Sequence, residues 1–270
     1  MLNVRLYNKS NGLQQTISLK YLEEYKNIIN WKMDSTVLDI GCGDGSLTTK
    51  IFKEIIPNCK TITGCDISED MIRFANEHFA SDRVNFTTLN IEGELPDQLR
   101  ERFNHAISFF AINWCRRQET TFQNIYDILK DQGSCFAIIV EKFTLFDAYR
   151  NLANTEKWKQ WVIDVEKYIS PYHDSQDSLK EMQHLLGKIG FTIKKLEHKT
   201  IVHDYEKQEN LKGALMSVVP FKFPDELYDD FFIDLSNEMQ MLDTKTYNFK
   251  KSTNDSVLNI QILVLYAEKK

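Results

Sequence analysis

From residue 36 to residue 142, short β-like runs alternate with helical patterns, and this alternation confines the chain to stacked βαβ units around a parallel sheet. The runs "TVLDIG", "TITGCDI", "VNFTTLNI", "FNHAISFFAI" and "GSCFAIIVEK" read as strands. Between them, "SLTTKIFKEII", "SEDMIRFANEHF" and "RQETTFQNIYDILK" repeat apolar residues at three- and four-residue spacing, as crossover helices do. Ser68 stands at the N-cap position of the second helix, with Glu69 and Asp70 in the first turn, where the helix dipole favours negative charge.

The second half resumes the pattern with two interruptions. The aromatic-rich "FTLFDAYRNLANTEKWKQWVIDVEKYISPYHD" precedes a helix, "SLKEMQHLLGKIGF", that stops near Gly190. After the β-rich "FTIKKLEHKTIVHDY", two helices separated by "PFKFP" lead to a last strand, "VLNIQILVLYAEKK". A chain of 270 residues, 42% of them hydrophobic, can bury one sizeable core. The expectation is one domain over residues 1–270, with core segments 34–142, 178–206 and 256–270. Residues 143–177 and 207–255 are then helical insertions forming a lid over the strands' carboxyl ends, and residues 1–33 an amino-terminal segment.

Composition removes several classes of function. No stretch approaches eighteen consecutive apolar residues, and the start lacks the features of a signal peptide, so a cytoplasmic protein without membrane insertion is expected. The formal charge of -6 and the lack of a long Lys/Arg run argue against a nucleic-acid partner. Five cysteines form no C-x-x-C pair and read as reduced, half-buried thiols, so no metal site is expected.

The first strand-to-helix turn carries Gly41, Gly43 and Gly45 directly after Asp39. In an open parallel sheet this turn lies at the switch point where ligands bind, and glycine there permits positive φ or close approach of backbone to ligand. A phosphate loop would need G-x-x-x-x-G-K-[ST], which the chain lacks. A dinucleotide fingerprint needs its third glycine where Ser46 stands, and Asp39 would repel a pyrophosphate. An acid there suits a cationic ligand.

At these residues "LDIGCGDG" resembles motif I of the class I methyltransferases, which bind S-adenosylmethionine and release S-adenosylhomocysteine. The resemblance implies an α/β, Rossmann-like sheet of order 3-2-1-4-5-7-6 with strand 7 antiparallel. It also implies a cofactor site built from Asp39, Gly41, Cys42, Gly43, Asp66, Ile67, Asn90 and Ile91. Asp66 closes the second strand, where an acid accepts hydrogen bonds from ribose hydroxyls. Asn90 stands where such enzymes often carry an acid that brackets the adenine, with Ile91 and Ile67 as apolar faces.

Methyl transfer from a sulfonium is an in-line displacement, so the protein must place the nucleophile behind the methyl and exclude water. His78, His105, His173, His184, His198 and His203 are scattered and read as surface or packing residues, and no N-P-P-[YF] motif is present. A carboxylic acid, with a pKa of about 4 to 5, is already an anion at neutral pH and needs hydrogen-bond donors rather than a base.

The amino-terminal "SNGLQ" and the "FFAINW" after the fourth strand resemble the corresponding segments of the insect juvenile hormone acid methyltransferases. "GCDISEDMI", "LNIEG", "NTEKWKQWV" and "ISPYHD" extend that resemblance over most of the chain. It implies that Gln14 and Trp114 hold the substrate carboxylate through an amide and an indole N–H. Asn113 stands where histidine is common in the family, so no role passes to it. An apolar sesquiterpenoid acid, farnesoic acid or juvenile hormone acid, is the implied small-molecule partner. Phe110, Phe143, Phe146, Tyr149, Trp158, Trp161 and Tyr172 are candidates to line its pocket. The alternatives are a small polar acid such as trans-aconitate, and a non-catalytic cofactor-binding subunit. Homodimerisation is left open.

Overall fold

Val37, Leu38 and Ile40 are apolar and almost wholly buried, which is what a strand covered on both faces demands, and they form the centre of the sheet. The computed structural model describes residues 4–245 and 256–270, without the side chains of residues 244 and 245. Residues 1–3 of the amino-terminal segment and 246–255 of the second insertion lie outside the described residues.

Helices α1 (Val4–Ser10) and α2 (Gly12–Tyr25) precede β1 (Thr36–Ile40), α3 (Ser46–Glu54), β2 (Thr61–Asp66), α4 (Glu69–Phe79) and β3 (Val84–Thr88). Then come β4 (Phe103–Phe109), α5 (Gln118–Ile128), β5 (Leu129–Phe143), α6 (Thr144–Ala153), α7 (Ser178–Ile189) and β6 (Phe191–Asp204). The chain continues through α8 (Gln208–Met216) and α9 (Tyr228–Lys245) to β7 (Val257–Lys269). The strands form one sheet of order β3-β2-β1-β4-β5-β7-β6, with β7 antiparallel, as the methyltransferase resemblance implies. β1 pairs in parallel with β2 and β4, so its carboxyl end opens between theirs.

The element boundaries follow local chemistry. Ser68 caps α4 by accepting from the Met71 amide at 3.4 Å, and Gly190 ends α7 at φ 117°. Helix α5 stops at Ile128, two residues short of the periodic pattern, because Leu129 is taken into β5 opposite Phe103.

By its internal contacts the chain falls into two compact units. One holds residues 12–139, 176–198 and 263–270, and with them β1 to β4 and α2 to α5. The other holds residues 1–11, 140–175 and 199–262, and with them α1, α6, α8 and α9. The amino-terminal segment is thus divided: α1 belongs to the helical unit and α2 to the sheet unit. In the helical unit Trp158 stands edge-on to Phe223 and Phe231 at 5.7 and 5.1 Å, and its indole N–H donates to Asp234 at 2.8 Å. No helix among the described residues is long and apolar enough to cross a membrane.

Candidate active site

The site grows out of the exit from β1. Gly41, Gly43 and Gly45 all take positive φ, at 74°, 55° and 80°. The amides of Gly41 and Cys42 both donate to the Cys65 carbonyl, at 2.7 and 3.0 Å, which straps the loop to the end of β2. Space dictates glycine as firmly as conformation does. A Cβ on Gly41 would lie 2.1 Å from Ala111 Cβ, and one on Gly45 would lie 2.7 Å from the Phe86 ring.

Two carboxylates flank this loop. Asp39, 2% exposed, accepts from the Thr48 hydroxyl at 2.6 Å. Burial pushes its carboxyl up to about 7, against the lowering effect of Thr48 and with a further push from the Asp66 charge. Asp66 accepts from the Gly43 amide at 3.0 Å through one oxygen and from the Ser68 amide at 2.9 Å through the other. Burial raises its pKa too, while these backbone donors counteract the rise. Beside it Ile67 is 66% exposed, an apolar face at the sheet edge. The adjoining Asn90 is exposed and its side-chain oxygen accepts from the Glu92 amide at 3.2 Å, while Ile91 is buried and held by Asn124 through its carbonyl. Cys42 is buried in the loop and its thiol is pushed well up by burial, which leaves it inert as a nucleophile.

The exit from β4 forms the next wall. Phe110 takes φ 56°, a conformation costly for a bulky residue, and its amide is held by the Ile138 carbonyl at 2.8 Å. The indole N–H of Trp114, in a short 3-10 turn, donates to the Phe110 carbonyl at 3.1 Å. Trp114 is half-buried, and through Phe110 and Ala111 it belongs to the segment packed against Gly41. On α2, Gln14 is half-buried, and its side-chain oxygen is buried with no hydrogen-bond partner. Gln15 next to it donates to Ser46 Oγ at 3.0 Å.

In the helical unit Phe143, Phe146, Tyr149, Trp158 and Tyr172 are all buried, and Trp161 is half-buried. Phe143 meets Phe146 edge-on at 5.9 Å, and Tyr149 meets Phe221 at 5.0 Å. Phe110 belongs instead to the sheet unit, with the glycine loop.

Two of the six histidines, His105 and His173, are buried with polar partners. His105 lies between Ser134 Oγ at 2.8 Å and Ser35 Oγ at 3.3 Å, and burial lowers its pKa to about 4. It borders a cavity of about 430 Å³ at the amino-terminal edge of the sheet, with Lys32, Asn104 and Tyr266. His173 pairs with Asp147 at 3.0 Å in the helical unit. The sequence reading also passed over Gly64, Asp44, Ser46 and Gln15. A glycine inside a strand is a sign of close backbone approach, and a Cβ on Gly64 would meet the Phe86 ring at 2.7 Å and Cys42 Cβ at 2.9 Å. Asp44 and Ser46 bond each other within one turn, whereas the bond from Gln15 to Ser46 joins residues from separate elements and leaves no local mark.

Taken as a donor set, two carboxylates, a positive-φ loop and an apolar edge suit a ligand with a cation, hydroxyls and a flat aromatic base. A protein-family model described as a methyltransferase domain matches residues 32–209. The juvenile hormone acid O-methyltransferase of Bombyx mori is 39% identical over 274 residues, covering 100% of this chain and 98% of its own. That of Drosophila melanogaster is 29% identical, covering 98% of this chain and 91% of its own. In fold the chain resembles phosphoethanolamine N-methyltransferase 2 of Haemonchus contortus, solved with S-adenosyl-L-methionine, at 18% identity and a TM-score of 0.58, covering 98% of this chain and 56% of that one. With the whole of its length matched at that level, the chain belongs to the juvenile hormone acid O-methyltransferase family of methyltransferases.

Proposed function

We propose that this protein methylates the carboxylate of juvenile hormone acid, the acid for which its insect relatives are named, with S-adenosylmethionine as methyl donor. The observation that carries the reading is the glycine loop held between two partly or wholly buried carboxylates, Asp39 and Asp66, a site complementary to a cation and a ribose rather than to phosphate. When bound, the cofactor supplies an electrophilic methyl group on a sulfonium. Asp39, Gly41, Cys42 and Gly43 face its methionine part, Asp66 its ribose hydroxyls, and Asn90, Ile91 and Ile67 its adenine.

The chain's own work is orientation. Gln14 brings a neutral amide whose nitrogen can donate to a carboxylate, while its buried oxygen, the atom without a hydrogen-bond partner, can only accept. Trp114 brings an indole N–H that exchanges the Phe110 carbonyl for a carboxylate oxygen, a swap of one acceptor for another that costs little net energy. Neither residue carries charge, so both aim the oxygen without pairing it into inertness. The acceptor is an anion at working pH, so no residue has to remove a proton. Phe110, in the same unit as Gln14 and Trp114, is the candidate for walling the start of its isoprenoid chain.

A polycarboxylate acceptor would call on Arg150 in the first insertion. Its guanidinium is instead paired with Glu166 at 2.8 Å and Asp174 at 2.7 Å, which supports the apolar monoacid. The test is methyl transfer to juvenile hormone acid, farnesoic acid, saturated fatty acids and trans-aconitate. The expected order puts juvenile hormone acid first in kcat/KM. Preference for trans-aconitate would overturn the acceptor, and cofactor binding without transfer to any acid would point to a non-catalytic subunit.

A further inference from the structure

We infer that Gln15 is a positioning residue, which locks α2 onto the glycine loop so that Gln14, its neighbour, meets the acceptor carboxylate in register with the methyl donor. The inference rests on the reading of Gln14 given above. Three side chains make the lock. Gln15 Nε2 donates to Ser46 Oγ at 3.0 Å, and Ser46 Oγ donates to Asp44 Oδ1 at 2.7 Å, which also accepts from the Ser46 amide at 3.1 Å. Asp44 is 1% exposed, and with Ser46 it brackets Gly45, the third positive-φ residue of the loop. The direction of every bond is fixed by chemistry, because a carboxylate only accepts and the amide nitrogen only donates.

Successive residues on an α-helix point about 100° apart. Gln15 turned to Ser46 therefore sets the angle at which Gln14 is presented. Gln14 has no comparable anchor of its own through its side-chain oxygen, which is buried without a partner. Its backbone carbonyl is held by the Ser18 hydroxyl at 2.7 Å, so the placement of its amide is inherited from the helix.

The lock is separable from the docking of α2. Leu13, Ile17, Tyr21, Leu22 and Tyr25 are buried along one stripe. At the far end the Tyr25 ring lies 5.2 Å from Phe136 and its hydroxyl donates to Glu197. Removing Gln15 leaves that stripe and that anchor in place, so the helix stays attached and only its angle at the loop is released.

The experiment compares Gln15→Leu, the isosteric Gln15→Glu, Ser46→Ala and the double variant Gln15→Leu/Ser46→Ala with Gln14→Ala. Acid KM and kcat, cofactor Kd by calorimetry and melting temperature are measured on each. Each lock variant is expected to raise the acid KM ~10-fold and to lower kcat ~3-fold, with cofactor Kd within ~2-fold of wild type. The double variant should be no worse than Ser46→Ala alone, because that variant already loses the bond from Gln15 together with the bond to Asp44. Gln15→Glu keeps the shape but loses the donor, so it reports on the bond even if Gln15→Leu folds poorly. Wild-type acid kinetics in Gln15→Glu, with Gln14→Ala impaired, would overturn the lock and leave the function standing. Loss of cofactor affinity with acid KM unchanged would also overturn it, as a mere loop brace. Wild-type kinetics in Gln14→Ala would remove the underlying reading instead.

Discussion

The Thr48 hydroxyl donates to Asp39 Oδ2 at 2.6 Å, a neutral partner for a carboxylate that is 2% exposed. One such donor offsets only part of the cost of burying the charge, and the carboxyl therefore sits at about 7. If Asp39 faces the cofactor's cation, binding must deprotonate it. Cofactor affinity is expected to fall by up to tenfold per unit as pH drops below about 7. Asp39→Asn should weaken binding and flatten that dependence. For the free protein the sign is the reverse. A raised pKa means that the folded state keeps its proton, so this contribution to stability is full below 3.8 and is lost as pH rises through about 7. Titration calorimetry and melts between about pH 5.5 and 8.5 check both halves.

Gly41 and Ala111 cannot both carry freely placed side-chain carbons, since a Cβ on Gly41 would fall 2.1 Å from that of Ala111. Gly41→Ala adds strain at φ 74° to that clash. A loss of about 2–4 kcal/mol is expected, with cofactor affinity falling alongside. Denaturant melts read the first and calorimetry the second. Ala111→Gly should restore part of both in the double variant.

Asp66 holds the Gly43 and Ser68 amides at 3.0 and 2.9 Å. Asp66→Ala removes both acceptors together with the proposed ribose contact, and cofactor affinity should drop ~100-fold. Unchanged affinity would take Asp66 out of the site.

How far the sequence reached is clearest at β1 and its neighbours. The alternation of strands and helices, the Ser68 cap and the Gly190 stop were legible, because hydrophobic period and capping chemistry are local, whereas the strand order came from the resemblance to the class I methyltransferases. The candidate site was legible in its loop residues, since a glycine forced to positive φ leaves a mark in composition. The hydrogen bond from Trp114 to Phe110, four residues back, was not, because it depends on the unusual backbone at Phe110. Nor was the Gln15–Ser46 bond, which joins residues 31 apart. The division of the amino-terminal segment between two units likewise depends on contacts far along the chain.

Trp114→Phe separates the two roles of the indole. It keeps the ring and loses the donor now shared with Phe110. A fall in kcat/KM of ~10–100-fold with cofactor Kd unchanged is expected. Cofactor loss of the same size would assign the residue to the β4 exit instead.

His105 is buried and neutral in the fold, with its pKa lowered from 6.5 to about 4 by burial first and by the Lys32 charge second. A depressed pKa stabilises the fold above about 6.5, and that stability is lost as pH falls through about 4. The loss should reach about 3 kcal/mol for the protein but not for His105→Gln, as chemical denaturation at about pH 4 and 7 would show.

The central claim is that the methyl group ends on a carboxylate oxygen. The most direct measurement incubates the protein with methyl-labelled S-adenosylmethionine and juvenile hormone acid, extracts the product and treats it with mild base. The account predicts a labelled apolar product that base converts to labelled methanol and the unlabelled acid, as a methyl ester must. A labelled product that survives base, or no product at all with the cofactor bound, would contradict it.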